Sequence, residues 1–131
     1  KSSKSHYNEM NVLSMHALIG AYQPQGYEWV DELNQVLAGN IEYFCTYAEK
    51  HWKGVAFSRP QGTYMVFLDC TEWCREHGRD IQWLLDEGAG VGYQDGRPFH
   101  GPCHIRVNLA LPLSRVREAC DRLDRCVFNA R

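Results

Sequence analysis

Gly101–Pro112, GPCHIRVNLALP, is the stretch that decides how this chain reads. Ile105, Val107, Leu109 and Leu111 alternate with Arg106, Asn108 and Ala110, a period-two pattern that predicts a half-buried strand. Arg106 then lies on the face opposite the aliphatic residues, beside Asn108. A guanidinium stays charged, so a strand that carries one must aim it at an anion, a carbonyl cluster or water. Its planar fork matches a carboxylate through two parallel hydrogen bonds. Taken alone, the strand favours a solvent-facing arginine or a structural ion pair over a ligand site.

Working outward, the 131 residues give room for one domain, large enough to bury roughly two thirds of its unfolded surface. The net charge of −2 comes with no basic cluster, which argues against nucleic acid or an anionic membrane as partner. No apolar run approaches the roughly 20 residues that span a bilayer, and a soluble, cytoplasmic protein is expected. Of the six cysteines, Cys45 and Cys120 fall inside helical patterns, where free cysteine behaves as a small hydrophobe. A reduced, intracellular protein is favoured over a disulfide framework.

Residues 1–10 read as a flexible tail and 11–131 as the domain. Asn11–Tyr22, NVLSMHALIGAY, is apolar on nearly all sides, so a helix there should be buried all round. That is hard to achieve in so small a domain and points to a missing neighbour. Pro24 and Gly26 mark a turn. A long helix follows, with Trp29, Val30, Leu33, Val36, Leu37, Ile41, Phe44, Ala48 and Trp52 at three- and four-residue spacing. Gly39-Asn40 suggests a kink within it, and Gly54 its end. Strands are expected at Val55–Phe57, Thr63–Leu68 and Val91–Tyr93, and one broken or two short helices between Asp69 and Gly88. Gln94–Pro102 reads as an irregular loop. Ser114 is the expected N-cap of a last helix with Val116, Ala119, Cys120, Leu123 and Val127 inward. The sum is an α+β fold: a small two-layer sandwich of three or four short strands, covered by helices that include one long one.

Cys70, Cys74 and His77 (C-x3-C-x2-H) with His100, Cys103 and His104 (H-x2-C-H) offer zinc-ligand types. The spacing is not that of a knuckle or ribbon, so a stand-alone zinc-stabilised interaction module is the alternative of another class, and no integral metal is expected. The glycines of Gly88–Gly96 match neither a dinucleotide turn nor a P-loop. No strand-turn-helix elbow marks a nucleophile.

Four segments in chain order resemble one known family: GAYQPQGYEWVDELNQVLAGN (Gly20–Asn40), FSRPQGTYMVFLD (Phe57–Asp69), GAGVGYQDGRPFHG (Gly88–Gly101) and HIRVNLALP (His104–Pro112). Together they are similar to the C-terminal small domain of fold-type I pyridoxal-phosphate enzymes of the class I/II aminotransferase group. Glu28–Leu33 and Leu37–Asn40 bring the likeness nearest to the cystathionine β-lyase-like C–S lyases. The resemblance covers Asn11 to Phe128. It implies a parent enzyme acting on amino acids, a C–S β-lyase first and an aminotransferase second. That parent would be a homodimer whose large domain, absent from this sequence, holds the cofactor. The chain alone is then expected to bind no pyridoxal phosphate and to catalyse nothing. Lys4, within Ser2-Ser3-Lys4-Ser5, superficially resembles a serine-rich lysine motif, but it stands much nearer to Gly20-Ala21-Tyr22 than the family pattern has it. By the same resemblance Arg106 matches the arginine that binds the substrate α-carboxylate. Gly62, Thr63 and Tyr64 match a turn that lines the substrate side. Asp95, Gly96 and Phe99 belong to a mobile loop near the site mouth, where Gln94-Asp95 and His100 fall at variable positions.

Overall fold

The computed structural model describes residues 11–130. The expected tail, with Lys4, lies outside the described residues. By its internal contacts the chain divides into two compact units after Gln35.

In the first unit, helix α1 (Val12–Ala21) begins where Asn11 Oδ1 accepts from the Ser14 amide at 2.9 Å, the capping expected of asparagine. Helix α2 (Pro24–His51) opens on Pro24 itself. Pro24 and Gly26 therefore lie inside the first helical turn, where a proline's missing N–H costs nothing. The turn is at Tyr22–Gln23 instead. Gly26 is required there, because a Cβ would overlap the Ala21 carbonyl oxygen. The expectation that α1 is buried all round is not met within this chain: Leu13 is 82% exposed and Val12 67%. Trp29, Val30 and Val36, assigned to the inner stripe of the long helix, are exposed as well. Periodicity marks a face that favours burial, but it does not say which partner supplies the cover.

The second unit carries the sheet. Strands β1 (Met65–Asp69), β2 (Gln94–Asp95) and β3 (His104–Asn108) form an antiparallel sheet in the order β1-β3-β2. β1 pairs with β3 from Met65↔Asn108 to Asp69↔His104, while β2 pairs only Gln94↔Arg106 and Asp95↔Ile105. Val66, Leu68, Ile105 and Val107 are buried on one face. They join one core with Phe44, Cys45 and Ala48 of α2 and with Val116, Cys120 and Leu123 of α5 (Leu113–Leu123). Trp52 stacks on Phe128 at 4.5 Å between ring centroids and closes that core at one end. Helices α3 (Thr71–His77) and α4 (Ile81–Leu84) lie between β1 and β2 in sequence, the latter running into a wider turn at Leu85–Ala89. The α+β reading stands: among the described residues there are three strands, and the later part of α2 and α5 share one core with one face of the sheet.

Several boundaries move for local reasons. Val55–Phe57 forms only a single bridge, Ala56 to Asp69. Thr63 and Tyr64 stay out of β1 because Thr63 Oγ1 accepts from the Met65 amide at 3.2 Å, a side-chain turn that competes with the ladder. Val91–Tyr93 gives way to Gln94–Asp95, behind a run in which Gly90 has φ +58°. Gln94–Pro102, read as irregular, contains β2 and a 3₁₀ turn at Arg97–Phe99. Helix α5 starts after Pro112, whose carbonyl accepts from Arg115 and Val116, so Ser114 is inside the helix rather than its cap. α2 runs through Gly39-Asn40 without interruption. It ends at His51, and Gly54 (φ +70°) lies in the turn beyond, where a Cβ would come within 2.9 Å of the Trp73 nitrogen. No helix among the described residues is long and apolar enough to cross a membrane.

Candidate functional site

The face of the sheet turned away from the helices carries Arg106 at its centre. Its cross-strand neighbours are Phe67 on β1 and Gln94 on β2, so all three point the same way. Arg106 Nη1 donates to Gln94 Oε1 at 2.7 Å, and the guanidinium carbon lies 4.1 Å from the centroid of Phe99. The ring supports the flat face of the cation, and the amide takes one of its five N–H donors. Both contacts fix direction while leaving further donors of the fork for a ligand. His104, two residues earlier on the same face, packs its ring 4.8 Å from Phe67 and has Nδ1 3.7 Å from Asp69 Oδ1.

Phe99 is brought to Arg106 by a tightly organised turn. Asp95 Oδ1 accepts from the Arg97 amide at 2.9 Å, and Asp95 Oδ2 accepts from Arg97 Nε at 2.6 Å. The Arg97 side chain, then its backbone N–H, holds the Asp95 carboxyl below the usual carboxylate range. Gly96 donates from its amide to the His104 carbonyl at 2.9 Å, and a Cβ there would overlap that oxygen. Glycine is needed for this close approach.

Of the residues singled out by resemblance, Phe99 lies against the Arg106 guanidinium, while Asp95 and Gly96 belong to the strand end and turn that carry it, the Asp95 carboxylate facing Gln82 on the other side of the sheet. Gly62, Thr63 and Tyr64 stand elsewhere along β3: the Tyr64 carbonyl accepts from Leu109 at 2.9 Å, three residues beyond Arg106. Of the residues of the zinc constellation, Cys74 meets Cys103 beside Cys70, and the set goes no further. His77 stacks on Trp73 at 4.4 Å, and among the described residues no group of three or more His, Cys, Asp or Glu side chains is set to hold a metal ion. All six cysteines are free thiols; burial raises Cys120 to about 12 and pushes Cys70 further still.

Two residues escaped the sequence reading. Asn40, 1% exposed on α2, donates from Nδ2 to the carbonyls of Leu109 at 2.9 Å and Leu111 at 2.7 Å, fixing the exit of β3. Gln82 on α4 is 3% exposed, with its amide nitrogen 3.3 Å from both Asp95 Oδ1 and the His104 carbonyl. The available signal was an isolated amide in an apolar pattern: Asn40 among Leu37, Ile41 and Phe44, and Gln82 within IQWLL.

No family model matches the chain. It is 34% identical to the "Putative cystathionine beta-lyase" of Mycobacterium leprae, across 81% of this chain and 30% of that protein. A protein of the same description from Mycobacterium tuberculosis is 30% identical over the same shares. The pyridoxal-phosphate-bound C–S lyase of Staphylococcus hominis superposes with a TM-score of 0.85 at 24% identity, over 95% of this chain and 33% of that one. The likeness to fold-type I pyridoxal-phosphate enzymes holds. The chain spans about a third of the length of the proteins it matches. The solved lyase speaks for the fold, and the mycobacterial relatives carry the likeness in sequence.

Proposed function

We propose that this chain is the C-terminal small domain of a pyridoxal-phosphate enzyme acting on amino acids, a C–S β-lyase of the cystathionine β-lyase kind, and that Arg106 binds the substrate α-carboxylate. The observation that carries the role of Arg106 is its setting. A forked cation stands on the middle strand, on the face that no helix of this unit covers, pre-aimed by Gln94 and Phe99. Such a group holds a carboxylate in one orientation, and an amino acid so held presents its Cα in a fixed place.

The described residues do not themselves fit a pyridoxal-phosphate site. Lys50 and Lys53 are exposed at and just beyond the end of α2 rather than enclosed. In this reading the cofactor belongs to the remainder of the full-length protein, and so do the groups that choose between elimination and amino transfer. The exposed apolar residues of α1 are the surface expected to pack against that remainder.

The test is Arg106→Ala in the full-length enzyme. A charge-assisted hydrogen-bonded pair contributes about 1.5–3 kcal/mol, so kcat/KM for amino-acid substrates should fall roughly 10- to 100-fold or more. Arg106→Lys should recover part of this, since an ammonium keeps the charge without the fork. The loss should shrink for a substrate with an amidated α-carboxylate. Intact kcat/KM with a lowered melting temperature would make Arg106 a structural residue and sink the assignment.

A further inference from the structure

β2 is a weak support for the arrangement around Arg106. It pairs with β3 through two residues only, and so short a ladder is marginal without other packing. Yet Gln94, which takes the Arg106 hydrogen bond, is one of those two residues, and Phe99 follows four residues after Asp95. Something else must keep this segment against β3.

That something is buried on the opposite face. The Gln82 amide nitrogen faces three oxygens: Asp95 Oδ1 at 3.3 Å, the His104 carbonyl at 3.3 Å and the Pro102 carbonyl at 3.5 Å. These belong to β2, to the first residue of β3 and to the turn that joins them. The His104 carbonyl also accepts from Gly96, and Asp95 also anchors Arg97. One amide, shared among three long contacts, therefore ties both ends of the Asp95–His104 loop to one point. The Gln82 backbone is itself held from behind, where the Tyr93 hydroxyl donates to its main-chain carbonyl at 3.2 Å. Because Asp95 alternates with Gln94, Gln82 lies on the core side and is turned away from any ligand at Arg106.

We infer that Gln82 is a positioning residue for the Arg106 site: it pins the short strand and turn that present Gln94 and Phe99, and through them sets the direction of the guanidinium. The inference rests on the reading of Arg106 as the carboxylate-binding group. Without the amide, β2 and the 3₁₀ turn are held to β3 only by the two-residue ladder and the bond from Gly96 to the His104 carbonyl, and they shift more readily. The fork then meets its ligand without its two side supports, while residues that act on Cα elsewhere in the enzyme are untouched.

The experiment uses the full-length, cofactor-loaded enzyme with Gln82→Met, which keeps the length of the side chain and removes its donors. KM for the amino-acid substrate should rise about five- to tenfold with kcat within about twofold, the signature of binding lost equally in ground and transition states. The inhibition constant of propionate, a bare carboxylate that does not react, should rise by the same factor. The KM of the substrate's α-carboxamide should stay put. Unchanged constants, or an equal rise for the carboxamide, would overturn the role of Gln82. Arg106→Ala is measured alongside. If it leaves the propionate constant unchanged, the reading of Arg106 fails and this inference falls with it; if it raises that constant while Gln82→Met does not, only the inference about Gln82 falls. Should Gln82→Met fail to fold, Asp95→Ala severs the same junction from its more exposed side and must show the same carboxylate-selective rise, or the inference is wrong.

Discussion

Replacing Asn40 by alanine is the sharpest probe of how β3 is held. The Asn40 side chain makes two hydrogen bonds from one nitrogen, at 2.9 and 2.7 Å, to carbonyls of the segment that leaves β3. Each such bond contributes about 1 kcal/mol net to stability. The Leu109 carbonyl sits in a fully buried setting, so stranding it adds a desolvation cost of roughly 1–3 kcal/mol, whereas the Leu111 carbonyl is nearer to water and can recover a partner. The sum is about 3–5 kcal/mol, a large share of the 5–15 kcal/mol that typically separates folded from unfolded chains. Urea denaturation followed by tryptophan fluorescence measures it: the midpoint should fall while the slope stays constant. Asn40→Asp keeps the shape but turns oxygen toward oxygen, and should cost more than alanine. A loss below about 1 kcal/mol for Asn40→Ala, or an aspartate better tolerated than alanine, would refute the bonding scheme built on these magnitudes.

Two further outcomes are expected. Titrating the 131-residue chain with pyridoxal phosphate should give no new absorption band and no stoichiometric borohydride-trapped lysine, since Lys50 and Lys53, the lysines among the described residues, are exposed rather than enclosed; one adduct per chain at a single lysine would contradict the proposed placement of the cofactor elsewhere. Gly101→Ala should cost about 1–3 kcal/mol in the same urea assay, because its Cβ would come within 2.8 Å of Phe67 Cζ and closer still to the His104 ring. Gly62→Ala, which meets open space, serves as its control, and equal stability of the two variants would count against the packing of His104 on Gly101.

What was legible in the sequence was local. The alternation in Ile105–Leu109 gave the face of Arg106 correctly because side-chain direction in a strand depends only on neighbours. The same pattern overran at Leu111, which is exposed. The strand has already turned at Asn108, whose Oδ1 accepts from the Ala110 amide at 2.8 Å. The ends of β1 and β2 slipped where a threonine side chain and a glycine run replaced ladder bonds with turns. Asn40 and Gln82 were out of reach for a different reason. Their partners lie 69 and 22 residues away in the chain, and nothing in local pattern says which distant carbonyl an amide will meet. The exposure of α1 belongs with them: its composition records a preference for cover, while the cover itself is a matter of what stands beside it.

The unequal pairing of β3 has a consequence for how such a site can change. Along β1 the strand is joined over its whole length from Met65 to Asp69, while along β2 it is joined at two positions. The first seam belongs to the fold, since it orders the residues that close the core. The second is a short lapel, stitched down by one amide and a few turn bonds, and it carries the side chains that lie against the arginine. Substitutions or small insertions in the lapel alter what surrounds the cation without unpicking the longer seam, and loops on rigid scaffolds tolerate such changes best. On the proposed reading of Arg106, a cation on the fully joined strand, beside an edge that is readily recut, lets one architecture keep its hold on a carboxylate while revising what it asks of the rest of the ligand.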